Sequence, residues 1–138
     1  MEIRAFKPAD EAAVIDIWTR CDLIRPWNDP VKDIRRKLAV RPDLFLVGVV
    51  EKQIVGTIMA GYDGHRGWLN YLAVLPEFQR RGLARLLVAE AERLLRLEGC
   101  PKINLQVRAS NQAALEFYRR IGFSVDEVTS MGKRLEVD

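Results

Sequence analysis

Two stretches carry residue types whose spacing suits chemistry. The first is Leu75-Pro76-Glu77-Phe78-Gln79-Arg80-Arg81-Gly82-Leu83-Ala84. An apolar run, Trp68 to Val74, precedes it and reads as a strand; an amphipathic pattern, Leu83 to Leu97, follows and reads as a helix. The first N–H groups of a helix have no internal partner and lie at the positive end of its dipole, so this junction suits an anion, above all a phosphate. Gly82 has no Cβ and lets a ligand approach the backbone, Ala84 leaves nearly as much room, and Arg80 and Arg81 add charge. The Gly-Lys-Ser/Thr of nucleotide triphosphatases and the Gly-x-Gly-x-x-Gly of dinucleotide sites are both absent. Taken alone, the decapeptide reads equally as an ordinary helix start with solvated arginines.

The second stretch is Ser110 to Phe123. Asn111, Ala114, Leu115 and Tyr118 fall at helical intervals and share one face, with Ala113, Phe117 and Ile121 as an adjoining core-facing stripe. Helical rise separates Asn111 from Tyr118 by about 10 Å. A long, thin ligand would meet an amide near the helix start and a phenol two turns later.

The elements that must hold these stretches are legible. Glu2 to Phe6 reads as a first strand. Pro8 opens a helix with Asp10 and Glu11 in its first turn and Ala13, Val14, Ile17, Trp18 and Cys21 as its apolar stripe. After an irregular Asp22 to Asn28, Asp29 as N-cap and Pro30 behind it start a second helix that runs to about Ala39. Val31, Ile34 and Leu38 share one face of it; Arg35, Arg36 and Lys37 are its solvated side. Leu44–Val50, Ile54–Tyr62 and Trp68–Val74 form an antiparallel meander, turning at Glu51-Lys52-Gln53 and Asp63-Gly64-His65-Arg66-Gly67. Gly99 and Pro101 stop the long helix. Lys102 to Arg108 alternates as a strand and, by strand–helix–strand order, lies parallel to Trp68–Val74. Asn111 to Ile121 is the last helix, stopped by Gly122. Phe123–Val128 and Lys133–Val137 are expected to close the chain as a hairpin around Ser130–Gly132.

Composition narrows the class. The chain has 138 residues, 49% hydrophobic and 30% charged, which fits one globular domain able to bury a core without disulfides. Lys and Arg number 22 against 19 Asp and Glu, a formal charge of +3. That excess suits an anionic ligand and is too small to argue for nucleic acid. A nucleic-acid reading would use Arg80, Arg81, Arg85, Arg108, Arg119 and Arg120, which group better around phosphates of a small ligand. Cys21 and Cys100 form no Cys-x-x-Cys pair, and His65 stands alone, so no metal is expected. No apolar run is long enough for a membrane, and Met1-Glu2-Ile3-Arg4 starts at once in strand-like alternation, so the expected setting is a reducing cytoplasm.

Leu72, Val74, Pro76, Gln79, Arg80, Arg81, Gly82, Leu83 and Ala84, followed by Asn111, Ala114, Phe117, Tyr118, Gly122 and Phe123, together resemble the two motifs of the GCN5-related N-acetyltransferase (GNAT) superfamily. Element order extends the resemblance over essentially the whole chain. It implies the GNAT fold: a central mixed, mostly antiparallel sheet with flanking helices and a splayed parallel strand pair, here Trp68–Val74 and Lys102–Arg108. It implies acetyl-CoA as co-substrate, no metal, and a primary amine as acceptor. Leu72 and Val74 would offer main-chain hydrogen bonds to the pantetheine arm and the acetyl carbonyl. The pyrophosphate would rest on N–H groups from Arg80 to Arg85 (Arg80, Arg81, Gly82, Leu83, Ala84, Arg85), with Gln79 beside them. Asn111, with Ala114 next to it, would meet the arm from the other wall, and Tyr118 would be the general acid for the departing thiolate.

The base stays open. Many relatives carry an acidic residue on the strand equivalent to Trp68–Val74, and this strand has none. Asn70 or Tyr71 could hold a relaying water; Asp63, His65, Asp126 and Glu127 are the alternatives. For the acceptor, Asp22 to Asn28, with Ile24, Arg25 and Trp27, reads either as a recognition segment or as a plug over the core. The competing functional reading is a domain that binds acetyl-CoA as a sensor without turnover. A monomer and a homodimer both fit.

Overall fold

β-Branched and aromatic residues concentrate in three runs, and these become the centre of the sheet. The computed structural model describes residues 1–138. Its chain divides into two compact units, Met1–Leu105 and Gln106–Asp138.

The first unit holds five strands, β1 (Glu2–Ala5), β2 (Phe45–Val50), β3 (Gln53–Tyr62), β4 (Gly67–Val74) and β5 (Ile103–Asn104), in spatial order β1-β2-β3-β4-β5. The first three pairings are antiparallel and the last is parallel, the mixed sheet expected. Three helices belong to this unit: α1 (Glu11–Arg20), α2 (Pro30–Ala39) and α3 (Leu83–Leu97). Pro8–Asp10 forms a single 3₁₀ turn ahead of α1 rather than its first α-helical turn.

Strand alternation sorts the two faces. One carries Phe45, Val47, Val55 and Met59, packed with Val14, Ile17 and Trp18 of α1 and Ile34 of α2. Phe6 stacks on Phe45 at 4.4 Å, and Trp18 on Phe45 at 6.2 Å. The other face drops to bare backbone at two glycines under α3: a Cβ at Gly56 would stand 2.9 Å from Leu87, and one at Gly67 would stand 3.1 Å from Leu95.

β5 is shorter than Lys102–Arg108. Its ladder with β4 has two pairs, Gly67 with Ile103 and Trp68 with Asn104, and then stops. β4 bulges a few residues further on, and a bulge bends the strand that carries it out of register with its neighbour. The parallel pair is thus a two-residue ladder, shorter than the strand Lys102–Arg108 expected.

The second unit holds one helix, α4 (Gln112–Arg120). Gly122, at φ +102°, ends its C-terminal turn, and Phe123 N–H bonds back to the Tyr118 carbonyl at 2.9 Å. Two expectations fail here. Ala113 is exposed, so the half-covered side of α4 runs through Ala114, Leu115, Phe117, Tyr118 and Ile121. The closing hairpin is absent: Phe123–Val137 contains no strand, and Val125, Val128, Met131, Leu135 and Val137 are all exposed. Alternating apolar residues give a strand only one face, and a two-stranded hairpin with nothing to pack against is marginal in water.

Candidate active site

The strand β4 departs from regular geometry where its motif residues begin. Thr57 faces Ala73 and Met59 faces Asn70, so Tyr71 and Leu72 together oppose a single residue of β3. Tyr71 takes up the extra length at φ +54°, a left-handed conformation costing a non-glycine residue about 1 kcal/mol. Contacts from three elements hold it there. Thr57 Oγ1 donates to the Tyr71 carbonyl at 2.7 Å and accepts from Trp18 Nε1 at 2.9 Å. The Tyr71 ring stacks on Trp18 with centroids 3.8 Å apart. Its hydroxyl donates to Asp33 Oδ2 on α2 at 2.6 Å, while Arg36 donates to Asp33 Oδ1 at 3.1 Å.

At the far end of β4, Leu75 N–H bonds to Val55 O at 2.8 Å. Antiparallel alternation then turns the peptide groups of Val74 to the opposite edge, away from β3. The Val74 carbonyl accepts from Gln79 Nε2 at 2.9 Å and from the Cys21 thiol at 3.3 Å. That oxygen is spent, and what Val74 has left for a ligand is its N–H. Burial pushes the Cys21 thiol above its ordinary pKa.

The turn that follows is folded back on this strand end by Gln79. Arg20 reaches from α1 to grip Glu77 with two hydrogen bonds, at 3.0 and 2.6 Å. Arg81 lies over the Phe78 ring at 5.0 Å and donates to the Glu77 carbonyl at 3.4 Å. Arg80, at φ +65°, and Arg85 are exposed and carry no ion pair. Gly82, at φ +77°, is the N-cap of α3 and supplies no side-chain acceptor. A Cβ there would meet nothing within 4 Å, so the start of α3 faces open space. Leu83 and Ala84 are half-buried beside it. Of the cations expected around a phosphate, Arg80 and Arg85 are uncommitted and Arg81 is partly occupied.

In the second unit, Asn111 caps α4: its Oδ1 accepts from Ala114 N–H at 3.1 Å. The amide nitrogen of Asn111 remains as a donor. Tyr118 is flanked edge-on by Phe117, at 5.1 Å, and Phe123, at 5.5 Å. Burial pushes its phenol up to about 12, so it stays protonated throughout the neutral range.

The Acetyltransferase (GNAT) family model matches residues 12–123, a span that takes in both units. The chain belongs to this family. It is 51% identical over 138 residues to an acetyltransferase of Pectobacterium atrosepticum, covering 100% of this chain and 98% of that protein. Among solved structures it is similar to Ard1 from Thermoplasma volcanium, with TM-score 0.79 and 26% identity over 91% of this chain and 83% of that one. A second is AAC(6′)-Iy in complex with the bisubstrate analogue CoA-S-monomethyl-acetylneamine, with TM-score 0.76 and 20% identity over 96% of this chain and 97% of that one; this second likeness is one of fold. Membership makes the chain a GNAT N-acetyltransferase, and the family uses acetyl-CoA.

Within this GNAT chain the candidate bases occupy different situations. Asn70 is exposed on β4. The Tyr71 hydroxyl is engaged with Asp33. Asp63 accepts from the N–H groups of Arg66 and His65, both at 2.7 Å, and these bonds hold its carboxyl below the usual range. Its oxygens organise the turn before β4. Asp126 and Glu127 are exposed in the second unit. In the stretch Asp22–Asn28, Leu23 and Ile24 pack on the core, Arg25 pairs with Asp22 at 3.1 Å, and Trp27 is exposed. The stretch is thus part plug and part surface. No group of three His, Cys, Asp or Glu side chains gathers for a metal, and no helix is long and apolar enough to cross a membrane. The Thr57–Tyr71–Asp33 contacts escape sequence reading altogether, because they join residues far apart in the chain and Thr57 looks like any strand threonine.

Proposed function

We propose that this acetyltransferase moves an acetyl group from acetyl-CoA to a primary amine by direct aminolysis of the thioester. The observation that carries the reading is on β4: its ladder with β5 ends after two pairs, it bulges at Tyr71, and it leads through a single turn to an uncapped helix start. One continuous segment thereby offers main-chain donors at Leu72 and Val74 to the arm and acyl group. It also offers Arg80 to Arg85 to the pyrophosphate, with the amide of Asn111 serving the arm. Both units act as one acetyltransferase domain, in keeping with the family match across them.

The amine nitrogen attacks the acyl carbon, the carbonyl oxygen becomes an oxyanion, the C–S bond breaks and the coenzyme leaves as a thiolate. The Leu72 and Val74 N–H groups stabilise the oxyanion. The nitrogen gives up one proton, through a water held at Asn70, and the sulfur gains one. Tyr118 supplies the second. With its phenol near 12 and a coenzyme thiol near about 8.5, complete transfer is uphill by roughly 5 kcal/mol. Tyr118 therefore acts as a hydrogen-bond donor to the departing sulfur as the C–S bond breaks, and the proton it passes across is replaced by the one the nitrogen released to water.

The test is a panel of amines (N-terminal peptides, free lysine, polyamines and aminoglycosides) with acetyl-CoA, reading release of free thiol. Amine-dependent release is expected from at least one class. Tight acetyl-CoA binding with no release from any amine favours the sensor, the reading that the carboxylate-free β4 supports. A cytoplasmic setting, with both cysteines as free thiols, belongs to the same proposal.

A further inference from the structure

We propose that Thr57 is a positioning residue, whose hydroxyl fixes the direction in which the Leu72 N–H points. This rests on the reading that the Leu72 amide faces the acetyl carbonyl.

The Tyr71 carbonyl and the Leu72 N–H belong to one planar peptide. All peptides in the chain are trans, so the two groups point in opposite directions. Whatever holds the Tyr71 oxygen therefore aims the Leu72 hydrogen. In a regular ladder a backbone N–H of the neighbouring strand would hold it. Here the bulge takes Tyr71 and Leu72 out of register with β3, and the Thr57 hydroxyl holds the oxygen at 2.7 Å.

The direction of that hydroxyl is itself set. Thr57 is fully buried, and Trp18 Nε1–H occupies one of its lone pairs at 2.9 Å. A hydroxyl has one proton to give, and it goes to Tyr71. Trp18 also stacks on the Tyr71 ring, and Asp33 holds the hydroxyl of the same side chain. Ring and carbonyl of Tyr71 are thus both tied to elements outside β4. The left-handed φ of Tyr71 is the conformation these ties maintain, in a residue with no glycine-like freedom to adopt it. Without the Thr57 hydroxyl the peptide regains the freedom to swing, and a donor misaligned by a fraction of an ångström loses much of its effect on a developing oxyanion.

The test compares wild type, Thr57→Val and Thr57→Ser. The readouts are steady-state kinetics, acetyl-CoA affinity, and the infrared stretch of the bound ¹³C-labelled acetyl carbonyl. In the wild type the stretch is expected to shift to lower frequency than in free acetyl-CoA. Thr57→Val should return it toward the free value and lower kcat by about 10- to 100-fold, with acetyl-CoA affinity within about threefold. Thr57→Ser keeps both hydrogen bonds and should restore both signals. If Thr57→Val fails to fold, Trp18→Phe serves: it retains an aromatic ring but deletes the N–H that orients the hydroxyl. A smaller fall in kcat, about 3- to 10-fold, and a partial loss of the shift are expected there. A shift that survives in Thr57→Val, or is lost equally in Thr57→Ser, overturns the proposal while leaving the acetyl-transfer reading intact. A wild-type complex whose carbonyl is unshifted overturns the assignment of the Leu72 amide, and the positioning role with it.

Discussion

The starts of α2 and α3 solve the same problem in opposite ways. Both follow a loop, and both have backbone N–H groups without intrahelical partners. At α2, Asp29 Oδ1 accepts from Val31 N–H at 2.9 Å and Lys32 N–H at 3.3 Å, and Pro30 removes a further donor. At α3 the cap is Gly82, with no side-chain acceptor, open space where a Cβ would lie, and two uncommitted arginines close by. The first start is finished by its own sequence. The second is left open by its own sequence. Helix α4 resembles α2: Asn111 closes its start through Oδ1, and the amide nitrogen of Asn111 remains as a donor.

Substitutions can break this contrast, and their effects fall in order. Tyr118→Phe should lower kcat by about 100-fold or more and leave acetyl-CoA affinity within about threefold; unchanged turnover removes Tyr118 from the chemistry. The pH profile gives a second reading. A phenol that acts as an acid works below its pKa, so the alkaline limb of kcat should show no loss from Tyr118 up to about pH 10, below the raised value near about 12. Gly82→Asp comes next. It puts a carboxylate at the open start of α3, and the KM for acetyl-CoA should rise by about 10- to 100-fold. Melting should shift only by the left-handed strain of a non-glycine residue, about 1 kcal/mol. Equal losses of stability and affinity would make Gly82 a merely conformational glycine. At Asn111 the two roles separate. Asn111→Asp keeps an acceptor for the cap and removes the donor, so KM should rise by about 3- to 10-fold without destabilisation. Asn111→Ala should lose both. The smallest effect on catalysis belongs to Asp29→Ala, which should lower stability by about 1 kcal/mol and leave the KM for acetyl-CoA unchanged. A rise in KM there would show that α2 is no neutral reference.

Much of the frame was legible because local chemistry decided it. Asp29-Pro30 and the Gly99–Pro101 stop placed α2 and α3 at their observed bounds, Pro30–Ala39 and Leu83–Leu97. The motif residues from Leu72 to Arg85 do fall on one strand, turn and helix start, as their order implied. What escaped depends on partners distant in sequence. Nothing about Tyr71 advertises a positive φ; it follows from an extra residue against β3 and from contacts with Trp18, Thr57 and Asp33. The early end of β5, at Asn104, is likewise not encoded in the alternation of Lys102–Arg108. The alternation of Phe123–Val137 promised strands, but alternation selects a face only where a surface exists to receive it. Gln79 shows the same limit at the scale of one side chain, since its amide nitrogen is committed to Val74 before any phosphate is considered.

The stacking of Trp18 on Tyr71 also makes the protein its own optical instrument. Of the three tryptophans, Trp18 is fully buried, while Trp27 and Trp68 are exposed. Its indole touches both the ring and, through Thr57, the carbonyl of the bulged residue. Iodide quenching of the exposed pair therefore leaves an emission band whose wavelength and lifetime report on one peptide group. Any acceptor or coenzyme that strains that peptide should be readable by light, without a label.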